Sequence, residues 1–280
     1  PSSTVRTLPG AFDVVTAGPG SFPSQSVIAT SVDGAQRTYT ADVDGDGDQD
    51  VLVASAGDDT IAWFRNGDSS GGGTGSTWTR IDITTSALGA SGVFTADVDD
   101  DGDLDVVSSS QSDNTIAWYR NGDSSGGGDG TTWTRTDVST SAAGASGVFA
   151  ADVDGDGDVD VLSASAGDDT IAWYRNGDSS GGGDGSTWTQ TDVTTSALGA
   201  SDVFAADIDN DGDLDVLSAS AGDNTIAWFQ NGDSNGSGNG TTWTRTDVST
   251  SAAGASGVFA ADVDDDGDVD VLSSSAGDDT

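Results

Sequence analysis

Along most of the chain, apolar and polar positions alternate in short runs that stop at clusters of Asp, Gly and Ser. In Thr115–Asn121, Ile116, Trp118 and Arg120 fall on one side and Ala117, Tyr119 and Asn121 on the other. That period of two is what a β-strand imposes on its side chains. Three neighbouring runs, Val93–Val98, Asp105–Ser110 and Thr132–Ser139, read the same way. Between the four lie an Asp/Gly loop, the turn Gln111–Asn114, and a Gly/Ser/Asp stretch from Gly122 to Gly130. No segment carries helical periodicity or a capping box ahead of an apolar stripe. The pattern predicts four short strands per unit and an all-β chain.

The unit recurs. Ala-Asp-Val-Asp, or its Ile variant, begins at Ala41, Ala96, Ala151, Ala206 and Ala261, each step being 55 residues with no insertion or deletion. Four strands per such period predict a β-propeller of four-stranded blades, about five in this length, with units starting near 37, 92, 147, 202 and 257. A calcium β-roll would need a nonapeptide period, which is absent. Residues 1–36 diverge and hold all four prolines, yet Ser26-Val-Ile-Ala-Thr-Ser31 stands where a fourth strand belongs. Thr4–Gly10 reads as a degenerate third strand, so that 1–36 would complete a blade and 37–280 carry the repeats. Closure of the two ends would give a five-bladed ring, the same complementarity between chains a filament, and a fragment of a larger ring is the third option.

Composition narrows the chemistry. All 48 acidic residues are Asp and all 8 basic residues Arg, and the chain contains no His, Cys or Met. This excludes zinc fingers, an imidazole base, a thiol nucleophile, disulfides, Schiff-base chemistry and the P-loop. A net charge of −40 makes nucleic acid and anionic lipid poor partners. No apolar run is long enough to span a membrane, and no signal peptide is visible. Asp to the exclusion of Glu points to short carboxylates placed in turns or around a cation.

The loop between the first and second strands carries the strongest chemistry. Asp42, Asp44, Asp46 and Asp50 stand at its positions 1, 3, 5 and 9, with Gly47 at position 6 for the bend. The other copies are Asp97, Asp99, Asp101, Asp105; Asp152, Asp154, Asp156, Asp160; Asp207, Asp209, Asp211, Asp215; and Asp262, Asp264, Asp266, Asp270. Asp48, Asp103, Asp158, Asp213 and Asp268 at position 7 complete the candidate metal set, and the backbone carbonyl there can add an oxygen. Ca2+ takes six to eight oxygens at about 2.3–2.6 Å, which alternating short acids in a tight turn can supply. Unscreened carboxylates near 4 Å repel by ~1 kcal/mol in water and ~4 kcal/mol at an effective dielectric of 20. A turn needing only polarity would use Asn, Ser and Gly, although a halophilic surface coat fits the composition too. An EF-hand would place Glu at position 12; here it is Val53 or Ser, flanked by strands. With D-x-[DN]-x-D-G-x-x-D five times in register ahead of an apolar strand, the chain resembles the FG-GAP/VCBS repeat family over about residues 25 to 280. These are the calcium-binding β-propeller repeats of integrin α-subunits and many bacterial surface proteins. The family more often forms seven blades, for which this chain is too short.

Other signals read more plainly. Trp63/Trp78, Trp118/Trp133, Trp173/Trp188 and Trp228/Trp243 recur 15 apart and fit an inter-blade core better than a sugar-stacking ladder. Trp-Thr-Arg predicts a cation–π contact or an Arg–Asp pair, with Gln190 replacing Arg once. Asp58-Asp59, Asp113-Asn114, Asp168-Asp169, Asp223-Asn224 and Asp278-Asp279 read as hairpin turns. The Gly/Ser-rich connections read as flexible outer loops. Asn235 and Asn239 begin glycosylation sequons. Every Asp pair belongs to the repeat, whereas a catalytic site normally occurs once, so no enzyme is expected. The expectation is a non-catalytic extracellular or cell-surface protein that binds about one Ca2+ per repeat, up to five. By the resemblance, its rigid propeller would present loops to a protein or glycan in adhesion. A filament-forming structural subunit and a propeller lectin are the alternatives.

Overall fold

The computed structural model describes residues 12–14, 26–67, 70–123, 125–178, 180–232, 236 and 238–277. Four antiparallel four-stranded meanders follow one another along the chain. The first comprises β3 (Ala35–Ala41), β4 (Asp50–Ser55), β5 (Thr60–Asn66) and β6 (Trp78–Thr84). The second comprises β7 (Ala90–Ala96), β8 (Asp105–Ser110), β9 (Thr115–Asn121) and β10 (Trp133–Ser139). The third is β11 (Ala145–Ala151), β12 (Asp160–Ser165), β13 (Thr170–Asn176) and β14 (Trp188–Thr194). The fourth is β15 (Ala200–Ala206), β16 (Asp215–Ser220), β17 (Thr225–Asn231) and β18 (Trp243–Ser249). A pair β1 (Phe12–Val14) and β2 (Ser26–Ala29) precedes them, and a pair β19 (Ala255–Ala261) and β20 (Asp270–Ser275) follows. Among the described residues no sheet closes on itself; the array is propeller-like. The strand expected within Thr4–Gly10 lies outside the described residues, and the partner of β2 is Phe12–Val14.

In the second unit the second and third strands fall where the sequence places them, while the innermost strand runs Ala90–Ala96 rather than Val93–Val98 and the fourth begins at Trp133 rather than Thr132. Ala90-Ser-Gly92 belongs to this strand, with a bulge between Ala90 and Gly92. The bulge has a purpose. Ser91 Oγ donates to the Ala145 carbonyl of the next unit (2.7 Å), Ser146 to Ala200 (2.6 Å) and Ser201 to Ala255 (2.7 Å).

The core lies between units, not within them. Ile116 and Trp118 pack with Val148, Val161 and Tyr174 of the third unit, while Ala117 and Tyr119 pack with Leu52, Ile61 and Trp63 of the first. The second and third strands of each complete unit therefore bury both faces, and the alternation read in Thr115–Asn121 separates two interfaces. A sheet with two apolar faces cannot be stable alone, so stacking is what stabilises every unit.

The five innermost strands line a narrow cavity of about 230 Å³. Tyr39, Phe94, Phe149, Phe204 and Phe259, one per unit, run around it with successive ring centroids 4.5, 4.6, 4.7 and 4.8 Å apart. Across it, Arg37 of the first unit meets Asp202 of the fourth at 2.9 Å, and Asp202 also accepts the Val258 N–H (3.1 Å). These two residues replace the glycine found at the same repeat position in Gly92, Gly147 and Gly257.

Candidate metal centres

Each Asp loop joins the first two strands of its unit, and its backbone is wound by its own side chains. Asp42 accepts the N–H groups of Asp46 (3.0 Å) and Gly47 (2.9 Å), and Asp97, Asp152, Asp207 and Asp262 repeat this. Position 6 has φ between 93° and 101° in all five copies, which only glycine adopts freely. Position 4 is also left-handed, at Gly45, Asp100, Gly155, Asn210 and Asp265. That explains its variation among Gly, Asp and Asn, the residues that tolerate this conformation.

The loop gathers carboxylates. Oxygens of Asp42, Asp44 and Asp50 lie within 4.8 Å of one another, as do those of Asp152, Asp154, Asp160; Asp207, Asp209, Asp215; and Asp262, Asp264, Asp270. In the second loop the trio is Asp97, Asp99 and Asp101. Both side-chain oxygens of Asp44 and of Asp99 are buried without a hydrogen-bond donor, as is one oxygen each of Asp154, Asp209, Asp101 and Asp156. The Asp44, Asp99 and Asp154 side chains are only 0, 2 and 3% exposed. A single cation faces each of these three clusters: Arg65 at 4.0 Å, Arg120 at 3.8 Å and Arg175 at 4.0 Å, while Gln230 bonds Asp209 in the fourth. One Arg against four carboxylates leaves a surplus of negative charge. Buried, unpartnered oxygens in that field fit a hard divalent cation.

Position 9 closes the site from below. Asp105 is fully buried and accepts the N–H of Val98 (3.2 Å), the N–H of Asn121 (2.8 Å) and the Trp118 indole N–H (2.9 Å). Asp160 does the same with Val153, Asn176 and Trp173. Burial pushes the carboxyls of Asp105 and Asp160 up to about 7, against the opposing pull of these donors, and those of Asp50 and Asp215 to about 6. Asp99 and Asp154 also rise to about 6, through burial first and then the neighbouring carboxylates Asp101 and Asp156.

Position 7 points elsewhere. The side chains of Asp48, Asp103, Asp158 and Asp213 accept backbone N–H groups of Gly73, Gly128, Gly183 and Gly238 in the Gly/Ser-rich connection of the same unit. Asp46 likewise accepts from Gly71 (3.2 Å) as well as from Asp48 (2.9 Å). The described parts of those connections are thus fastened down on the Asp loops, rather than forming the free outer loops their composition suggested. They lack packing side chains, but their backbone donors find carboxylates.

Sequence reasoning missed the asparagine that ends the third strand. Asn121, Asn176 and Asn231 are fully buried. Each amide nitrogen donates to a loop carbonyl of the preceding unit, at Val43 (3.1 Å), Val98 (2.9 Å) and Val153 (3.0 Å). The recurring Arg/Gln-Asn-Gly at a strand end was the available signal. Trp63, Trp118 and Trp173 are buried against the next unit, where a Cβ on Gly130, Gly185 or Gly240 would come within 2.2–2.3 Å of the indole. Trp78, Trp133, Trp188 and Trp243 are half-buried and donate to the carbonyls of Gly75, Gly130, Gly185 and Gly240. The packing reading of the Trp ladder holds for these seven.

The remaining motifs are structural. Asp59, Asn114, Asp169 and Asn224 take φ near 60° in their hairpin turns and accept the N–H of Gly89, Gly144, Gly199 and Gly254 in the next unit. Asp278 and Asp279 lie outside the described residues. Arg80, Arg135 and Arg245 pair with Asp82, Asp137 and Asp247 at 2.6–2.7 Å, and Gln190 bonds Asp192 at 2.9 Å. Arg245 also sits over the Phe229 ring at 5.9 Å. Asn239 is exposed, and Asn235 is outside the described residues.

The model of the FG-GAP-like repeat matches residues 42–108, 97–163, 152–218 and 207–273. No curated protein matches the chain in sequence. Among solved structures, a lectin from Agrocybe aegerita that recognises non-reducing terminal N-acetylglucosamine superposes with TM-score 0.57 at 19% identity, covering 95% of this chain and 69% of that one. A Bacteroides fragilis protein provisionally assigned as a 6-phosphogluconolactonase gives 0.48 at 14% identity, covering 85% of this chain. Rhamnogalacturonan lyase YesW gives 0.43 at 13% identity over 94% of this chain. The chain spans 58% and 59% of the length of the latter two. At 19% identity the likeness to the lectin is one of fold alone.

Proposed function

Because the chain belongs to the FG-GAP-like repeat family, we propose that it is a non-catalytic scaffold whose five Asp loops each hold one Ca2+. The observation that carries this reading is the set of buried oxygens on Asp44, Asp99, Asp154 and Asp209 that lack any hydrogen-bond donor. Positions 1, 3 and 9 would hold the ion, with position 5 in the loops where its oxygen is free. When bound, Ca2+ supplies charge neutralisation and a rigid oxygen-bridged turn. The chain's own residues do the rest. Position 9 anchors the loop to the strand ends, and position 7 draws the Gly-rich connection over it. Arg65, Arg120 and Arg175 balance part of the charge.

The environment that suits such a site is extracellular, where calcium is millimolar. The partner would be a protein or a glycan met by the exposed loops; the charge of −40 argues against nucleic acid. A sugar-binding Trp ladder finds no support, since Trp63, Trp118 and Trp173 are inside interfaces. Calorimetric titration of chelator-stripped protein should count five bound ions and raise the melting temperature on loading. Absence of binding, with a melt that responds only to molar salt, rejects the proposal.

A further inference from the structure

We infer that ion binding at neighbouring loops is cooperative, and that Asn121, Asn176 and Asn231 are the positioning residues that couple the sites; this rests on the calcium reading above. Each of these side chains touches two loops at once. The Asn121 amide nitrogen donates to Val43 (3.1 Å), which lies between Asp42 and Asp44, and to Leu104 (3.2 Å), which precedes Asp105. Its backbone N–H donates to Asp105 itself (2.8 Å). Asn176 joins Val98 to Val159 and Asp160, and Asn231 joins Val153 to Leu214 and Asp215, with the same geometry. Two donors for two loop carbonyls require a primary amide. Aspartate has no donor and serine too few.

A second path leaves the Asp97–Asp105 loop and returns to it. The Trp118 indole N–H donates to Asp105 (2.9 Å), and the far edge of its ring presses on Gly185 of the third unit. The Gly185 N–H is held by Asn176 (2.9 Å), whose amide nitrogen goes back to Val98 (2.9 Å), between Asp97 and Asp99. Trp173, Gly240, Asn231 and Val153 form the same circuit one unit on.

The thermodynamic consequence follows from shared ordering. In the metal-free chain the like-charged carboxylates of each loop repel, which loosens the Val43, Val98 or Val153 carbonyl and the asparagine bonded to it. Filling one loop fixes that carbonyl, and with it the asparagine and the Asp of the next loop. The second ion then meets a loop already partly ordered and binds more tightly, and by linkage the effect is mutual. In a linear array such nearest-neighbour terms propagate.

The test is a Ca2+ titration of the full stripped chain by calorimetry and Trp fluorescence, on wild type, Asn176→Ala and Asp99→Asn. Trp118 and Trp173 donate to ligand carboxylates, so their emission reports filling directly. Wild type should give a Hill coefficient of about 1.5 or more. Asn176→Ala should bind the same number of ions with a shallower curve. Asp99→Asn should lose one ion and weaken those that remain by about fivefold or more. A wild-type curve for identical independent sites, with Asp99→Asn removing one ion and leaving the others unchanged, overturns the coupling while the calcium reading stands. If wild type binds no ion, both fall. Should Asn176→Ala fail to fold, Asp99→Asn decides alone.

Discussion

Replacing Asp154 with Asn separates a metal ligand from a merely structural carboxylate, because the two roles predict opposite signs. Asp154 is 3% exposed, has one buried oxygen with no donor, and faces Arg175 only at 4.0 Å. Burial and the nearby Asp156 and Asp152 raise its carboxyl to about 6. A carboxyl titrating there rather than near 4 weakens the ionised, metal-free fold by about 3 kcal/mol at pH 8. The Arg175 charge is already reflected in that value, and screening by solvent around the loop reduces the cost to roughly 1.5 kcal/mol. Asn keeps the volume and removes the charge, so in chelator Asp154→Asn should melt higher than wild type by about 3–6 °C. In calcium the order reverses. At one hundred times the dissociation constant a bound ion contributes about 2.7 kcal/mol, which the variant loses at this site. It should then melt lower than wild type by about 2–4 °C, net of the relief it retains. Differential scanning calorimetry at pH 8, in chelator and in calcium, reads both. An equal fall in the two conditions would refute the reasoning and make Asp154 a structural residue.

Asp50, Asp105, Asp160 and Asp215 have folded values of about 6 to 7, above those of the unfolded chain. In chelator the native state therefore holds extra protons between about pH 4 and 7, and stability should fall as pH rises through that window. Calcium displaces those protons, so loaded protein should instead melt higher at pH 8 than at pH 5. Melting curves at both pH values, with and without calcium, decide this, and a chelated melt that rises from pH 5 to 8 contradicts it. Gly185→Ala would place a Cβ 2.2 Å from the Trp118 ring at φ 71°. It should cost about 2–4 kcal/mol and redden the Trp emission, and an unchanged melt would show that Trp118 does not press on that loop. Removing Arg37 alone (Arg37→Ala) leaves the buried Asp202 unpaired and should cost about 3 kcal/mol. Most of that loss should return in the double variant Arg37→Ala with Asp202→Gly, the residue other units carry there, as a double-mutant cycle would read; simple additivity would mean the pair is not coupled.

Much of this molecule was legible in its sequence because the repeat shows the same solution several times. The two-residue period of Thr115–Asn121 gave its strand and its two faces, and Gly47 with its equivalents marked the bend. Asp42, Asp44 and Asp50 could be placed together because a nine-residue turn brings them together locally. What escaped notice depends on pairing at long range. Asn121 reads only as the last residue of its strand before Gly122, and only stacking of units brings it to Val43, 78 residues earlier. The Gly/Ser connections read as unattached because composition reports side chains, whereas Gly73 and Gly128 are held by their backbone N–H groups. Alternation alone could not say that position 7 turns toward the Gly-rich connection, since Asp48 and Asp46 differ only in which backbone donors surround them.

The most direct measurement is a crystal structure of calcium-loaded protein with anomalous data recorded to locate the ions. The account predicts one ion per Asp loop, bonded at about 2.3–2.6 Å to oxygens that include those of Asp42 and Asp44, Asp97 and Asp99, Asp152 and Asp154, Asp207 and Asp209, and Asp262 and Asp264. Loops without ions at millimolar calcium, or ions seated only at turns such as Asp58-Asp59, would contradict it.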